Sequence, residues 1–81
     1  MILVYAICDR PSKEIYVGLT NNLERRIREH RRGQSFYTRR FRDFVVLYQE
    51  EYPDYRSARK REKYLKSGIG KEFLRSLISR T

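Results

Sequence analysis

Two short runs near the start restrict the fold more than anything else in the chain. Ile2 to Cys8 is apolar, and Asp9-Arg10-Pro11-Ser12 signals a turn. Lys13 to Leu19 then alternates, with Ile15, Val17 and Leu19 set against Glu14, Tyr16 and Gly18. Two such strands joined by a short loop make a β-hairpin. With Cys8 and Lys13 as partners flanking the loop, Tyr5 falls opposite Tyr16. Side chains alternate along strands, so Tyr5, Tyr16 and Gly18 share one face. Val4, Ala6, Ile15, Val17 and Leu19 share the other, which is the better core face.

The rest of the chain supplies what covers the hairpin. Asn21 is the expected N-cap of a helix over Asn22 to Arg32, with Glu24 as its capping-box partner and Gly33 as its stop. Leu23, Ile27 and His30 form its stripe, with Arg26 beside them. Gln34 to Arg42 reads as a basic loop with Phe36, Tyr37 and Phe41 interleaved. Phe44 to Glu50 is β-branched and aromatic, a third strand. A second helix starts near Asp54 or Ser57 and runs towards Lys66. Ser67-Gly68-Ile69-Gly70 interrupts it, and Lys71 to Ser79 forms the last helix. The order β-β-α-β-α-α predicts an α+β fold, a small three-stranded antiparallel sheet flanked by helices.

At 81 residues the chain is expected to be a single domain, 1–81, with one modest core. That favours a shallow surface site over an enclosed cofactor pocket. Its charge limits the partners. The formal net charge is +9, and two basic segments, Thr20 to Arg42 and Arg56 to Thr81, flank an acidic one, Asp43 to Tyr55. Folded together they make a positive face suited to a polyanion, most commonly nucleic acid. Cys8 is the only cysteine, which excludes an intrachain disulfide and cysteine-rich zinc sites. The opening apolar run ends at Asp9 and Arg10, too soon for a signal peptide or a membrane span. The expected location is therefore cytoplasmic, in association with the nucleoid, with no membrane partner.

Several side chains carry potential chemistry. Ala58, Glu62, Leu65 and Ile69 recur at helical spacing, which puts Glu62 on an inward stripe. A carboxylate there needs a partner. A salt bridge to Arg26 or another neighbour would serve, and so would a metal ion. Arg26 lies one turn before His30, so both reach one patch. A histidine on such a stripe is either a packed residue or an acid-base group. Arg25 and Arg28 point elsewhere on the helix, towards solvent or phosphates.

These residues, taken in order, carry a resemblance. Leu3-Val4-Tyr5 followed by Tyr16-Val17-Gly18 resembles the paired motif of the GIY-YIG nuclease domain, with Leu3 where that motif has glycine and valines where it has isoleucines. Leu23 to His30 is similar to the family helix that carries an arginine four residues before a histidine. Ala58 to Leu65, ARKREKYL, is similar to its glutamate-bearing helix, and Leu65-Lys66-Ser67-Gly68 resembles the end of that helix in small stand-alone bacterial members.

The resemblance implies a metal-dependent endonuclease, a hydrolase of phosphodiester bonds in nucleic acid and foremost DNA, of the kind used in DNA repair or recombination. Tyr5, Tyr16, Arg26, His30 and Glu62 would be its catalytic residues. Tyr5 or Tyr16 would handle the attacking water, with Tyr5 preferred as general base. Arg26 would stabilise charge on the phosphoryl oxygens. Glu62 would hold one Mg2+ or Mn2+ ion, and His30 would orient a tyrosine or shuttle a proton. Gly18 and Asn21 would be structural. Arg25, Arg28, Arg31, Arg32, Thr38, Arg39 and Arg40 are expected along the nucleic acid. So small a chain leaves targeting to a partner protein or a homodimer. Two rival readings stand beside this one: a non-catalytic nucleic-acid binding module on the same fold, and a protein-interaction domain.

Overall fold

The computed structural model describes residues 1–78. Strands β1 (Ile2–Asp9), β2 (Ile15–Thr20) and β3 (Phe44–Tyr52) and helices α1 (Leu23–Arg31), α2 (Tyr55–Lys66) and α3 (Gly68–Ile78) follow in the order β-β-α-β-α-α. The strands form one antiparallel sheet in the order β2-β1-β3. The fold is α+β, as expected.

The central place of β1 explains why its sequence is apolar without alternating. Residues Val4 to Asp9 are all buried because both faces of the strand are covered. On one face Ile2, Val4 and Ala6 join Val17 and pack against Ala58 and Leu65 of α2 and Leu74 of α3. On the other, Tyr5, Ile7 and Phe44 pack against Leu23 and Ile27 of α1. The core face read from the hairpin is thus one of two, and the tyrosine face is the second.

The hairpin register differs from the expected one by a step of two. Tyr5 pairs with Gly18, and Tyr16 pairs with Ile7. The loop is closed one residue later on each side, where the Asp9 amide donates to the Glu14 carbonyl and the Lys13 amide to the Asp9 carbonyl. Lys13 takes a left-handed backbone, φ 66°. The cause is Asp9, which is a buried strand end and not a turn residue. Its carboxylate accepts from the Ser12 hydroxyl at 2.7 Å and from the Arg42 and Asp43 amides at 3.0 and 3.1 Å. Burial alone would raise its pKa, but these bonds, with Asp43 foremost, outweigh that and hold it below the usual carboxylate value. A shift of two preserves side-chain alternation, so Tyr5, Tyr16 and Gly18 still share a face.

On its other side β1 meets β3 with a bulge, where Leu47 is the extra residue between the pairs Ala6–Tyr48 and Ile7–Val46. Beyond the bulge the side chains of β3 exchange faces. Tyr48 therefore packs on the α2 and α3 side, while Phe44 turns to the tyrosine face.

The cap of α1 is Asn22 and not Asn21. The Asn22 side chain accepts from the Arg25 amide at 3.1 Å, while Asn21 accepts only from the Arg25 guanidinium. Glu24 consequently falls outside the capping-box position and pairs with Arg28. The helix ends as expected at Gly33, φ 73°. The Gly33 amide donates to His30 and the Gln34 amide to Glu29, which is a Schellman ending. Asn22→Ala should cost about 1 kcal/mol of stability in urea unfolding, whereas Asn21→Ala should leave the midpoint almost unchanged.

Asp54 caps α2, accepting from the Ser57 amide. The break before α3 is shorter than expected, because α3 begins at Gly68. A side chain at Gly70 would meet the Tyr64 carbonyl oxygen at 2.1 Å, so the glycine is what lets the two helices meet so closely. The break also rotates Ile69 off the inward stripe, and it is 68% exposed, while Ala58, Glu62 and Leu65 remain buried. The expected end of the last helix at Ser79 lies outside the described residues. No helix among them is long and apolar enough to cross a membrane.

Candidate active site

The tyrosine face holds a compact polar cluster. Tyr5 from β1 and Tyr16 from β2 lie with ring centroids 6.3 Å apart. His30 from α1 packs edge-on to both, at 5.8 Å from Tyr5 and 5.3 Å from Tyr16. Gly18 makes this possible, since a side chain there would lie 2.8 Å from the Tyr5 hydroxyl and 3.0 Å from the Tyr16 ring. The sequence groups these residues correctly even though the register was misjudged.

His30 is buried and engaged through both ring nitrogens. Nε2 lies 2.7 Å from the Tyr5 hydroxyl, and Nδ1 lies 2.6 Å from Thr38 Oγ1. Burial, seconded by the charge of Arg26, lowers its pKa to about 4, so the ring is neutral at physiological pH. Thr38 was expected on the nucleic-acid surface. It is buried instead, and its contact is His30. Tyr5 is fully buried too, and burial followed by the proximity of Tyr16 raises its pKa to about 12.

Arg26 completes the cluster. Its guanidinium donates to Glu29 at 2.9 Å. Burial opposes its charge, but its interactions with Glu29, Tyr5 and Tyr16 more than compensate and raise its pKa further. Glu29 is held below its usual value, first by that bond from Arg26. Sequence reasoning missed Glu29, although its spacing three residues after Arg26 is the signal of such a pair.

Glu62 is placed differently. It lies on α2, the helix that packs on the opposite face of the sheet, and is nearly buried. Its carboxylate pairs with Lys66 at 3.1 Å and Arg59 at 3.7 Å, and not with Arg26. Among the described residues no group of three or more histidine, cysteine, aspartate or glutamate side chains could hold a metal. One carboxylate with spare lone pairs fits only a hard ion that keeps most of its water, as Mg2+ does.

A groove of about 630 Å³ runs around the open edge of β2 and relates the two sides. Tyr16, Tyr37 and Arg40 line it from the tyrosine face, and Lys66, Lys71 and Arg75 from the α2 and α3 face. Of these, Tyr37, Lys66, Lys71 and Arg75 were not singled out from the sequence. A second cleft, about 420 Å³, borders His30 and is lined by Arg31, Arg32, Arg39 and Arg42. The expected phosphate contacts divide accordingly. Arg25 and Arg28 are engaged by Glu29 and Glu24 on the surface of α1, and Arg40 pairs with Glu14. Arg31 lies over Phe44 and Arg39 over Phe36, at 4.9 and 4.8 Å, with no carboxylate partner for either among the described residues.

The antiparallel strands β1 and β2 thus present two tyrosines beside Arg26 and His30 of α1, while Glu62 of α2 lies on the other face of the sheet. Residues 1–72 match the GIY-YIG catalytic domain, and the chain belongs to that family. The class is that of nucleases, which act on nucleic acid and generally use a divalent metal. The chain is 34% identical over 70 residues to a UPF0213 protein of Clostridium perfringens, covering 85% of this chain and 75% of that one. It is also similar to the solution NMR structure of a UPF0213 protein from Bacillus halodurans, with TM-score 0.55 and 32% identity over 95% of this chain and 85% of the other. These relatives are small stand-alone GIY-YIG proteins.

Proposed function

We propose that this protein is a metal-dependent endonuclease that hydrolyses phosphodiester bonds, with DNA as its first substrate and the cytoplasm as its site of action. The observation that carries this reading is the packing of Tyr5, Tyr16 and His30 into one cluster beside Arg26, with neutral His30 bonded to the Tyr5 hydroxyl.

The roles follow from exposure and bonding. Tyr5 is fully buried and its hydroxyl is taken by His30, so the attacking water is better met by half-buried Tyr16. This reverses the preference for Tyr5 as general base. With the His30 proton on Nδ1 and donated to Thr38, Nε2 accepts from the Tyr5 hydroxyl. Tyr5 thereby acts as a positioning residue, its ring packed against Tyr16 and its hydroxyl held by His30. Arg26 presents a charged donor fork where negative charge grows on the phosphoryl oxygens.

Glu62 would hold the metal ion, which when bound supplies charge neutralisation at the phosphate and eases departure of the leaving oxygen. Lys66 beside it opens on the same groove as Tyr16. The reaction adds water across one P–O bond and leaves a phosphate monoester and a free hydroxyl.

The test is incubation with flapped, branched and linear DNA in Mg2+ or Mn2+, next to a Glu62→Ala control. Cleavage by the wild type and a loss of at least a hundredfold in the variant are expected. Cleavage that is equal in both would remove Glu62 from the reaction. Salt-dependent binding that survives Glu62→Ala, with no cleavage of any substrate, would instead leave a binding module.

A further inference from the structure

The groove at the edge of β2 has chemistry that cleavage itself does not require. Its outer wall carries Lys71 and Arg75 of α3, both exposed, and neither has an ion-pair partner among the described residues. Lys13 enters from the hairpin loop, also without a carboxylate partner among them. Facing these cations, Tyr37 is 65% exposed and stacks on Tyr16, with centroids 6.4 Å apart and planes at 28°. Its neighbour Phe36 is 70% exposed and packs edge-on against it at 5.5 Å. Two large exposed aromatic rings in a loop of arginines are not explained by packing, because each buries little. They are what a stack of unpaired bases needs, with cations opposite to track the backbone.

Size selects among nucleic acids. A groove of about 630 Å³ is in the range that encloses a single drug-sized ligand. It has room for a nucleotide or two of one strand inside it. A base inside a duplex is also already stacked and cannot offer its face to Tyr37.

We infer that the open edge of β2 is a track for one unpaired nucleic-acid strand, in which Lys13, Lys71 and Arg75 hold successive phosphates and Tyr37 stacks on a base next to Tyr16. The inference rests on the nuclease reading for its purpose, since the track delivers the strand to Tyr16. Its binding chemistry stands on the groove alone. The substrate class is therefore an unpaired strand, whether free or as an overhang or flap.

The test is binding without turnover. Labelled 12-mers of single-stranded DNA, single-stranded RNA and blunt duplex DNA are titrated in EDTA, by fluorescence anisotropy at several salt concentrations. The single strands should bind at least tenfold tighter than the duplex. Lys71→Ala/Arg75→Ala should weaken that binding tenfold or more and reduce the salt slope by about 1.4, for two lost contacts on a single strand. Tyr37→Leu should weaken it about tenfold with the slope unchanged. Lys60→Ala/Lys63→Ala, which removes the same charge from exposed positions of α2, should have little effect. Equal losses in the two double variants, or a duplex that binds as tightly as a single strand, would overturn the track. Whichever of DNA and RNA binds better, the same variants must lose it. Failure to cleave in added metal would sink the nuclease reading and leave this binding pattern intact.

Discussion

Arg26→Lys should lower the rate of phosphodiester cleavage about a thousandfold while changing affinity for uncut substrate only a few-fold. The argument is geometric. Arg26 is partly buried and donates to Glu29 at 2.9 Å, so its fork is fixed before substrate arrives. A preorganised donor aimed at developing charge contributes about 100- to 1,000-fold in rate, and a charged one acting on a phosphoryl group contributes more. Lysine keeps the charge but has no planar fork, and it cannot hold Glu29 and meet two phosphoryl oxygens together. Single-turnover cleavage against anisotropy separates the two effects. Parallel loss of rate and affinity would mean that Arg26 binds the ground state as strongly as the transition state. A rate within tenfold of wild type would remove it from the chemistry.

The second large effect concerns pH. His30 titrates at about 4 in the fold and near 6.5 in the unfolded chain. The unfolded state therefore binds the extra proton more readily, and stability rises with pH between those values. His30 contributes its full share above pH 6.5, has lost roughly 2 kcal/mol of it by pH 5, and loses roughly 3 kcal/mol in all by pH 4. Urea unfolding of wild type and His30→Gln at pH 7.5 and pH 5 checks this. The wild type should lose about 2 kcal/mol more than the variant over that interval. Equal losses would show that the ring is not held neutral. The carboxylates whose pKa is lowered, Asp9, Glu29 and Asp54, act at lower pH, so the interval belongs mainly to the histidine.

The element order was legible because apolar alternation and caps are local signals, whereas the second packed face of the sheet was not. Placement of the tyrosines was legible for the same reason: parity along a strand survives a register shift of two. The register itself was not legible. It depends on Asp9 being buried by the amides of Arg42 and Asp43, more than thirty residues away, and no local pattern reports that. Thr38 illustrates the same limit. In sequence it sits among arginines and looks like surface, yet the turn that follows Gly33 folds it back onto His30. Glu62 was correctly read as inward, because Ala58 and Leu65 frame it at helical spacing. Of the partners expected for it, Arg26 or another neighbour, the structure gives the neighbours Lys66 and Arg59, since α1 and α2 cover opposite faces of the sheet. The strand track was missed because its two walls come from distant segments, Tyr37 and Lys71, that meet only at an open edge.

The central position of β1 bears on how the molecule opens. Its backbone is bonded on both sides, whereas β2 is bonded on one side only. Amide exchange should accordingly be slowest along β1 and faster along β2. Tyr5, Gly18 and Tyr16 then hang one wall of the cluster from the part of the chain that comes apart last and the other from a part that loosens early. Local fraying of a single edge strand can separate the two hydroxyls while the domain stays folded, so the site is able to come apart and reassemble without the cost of global unfolding.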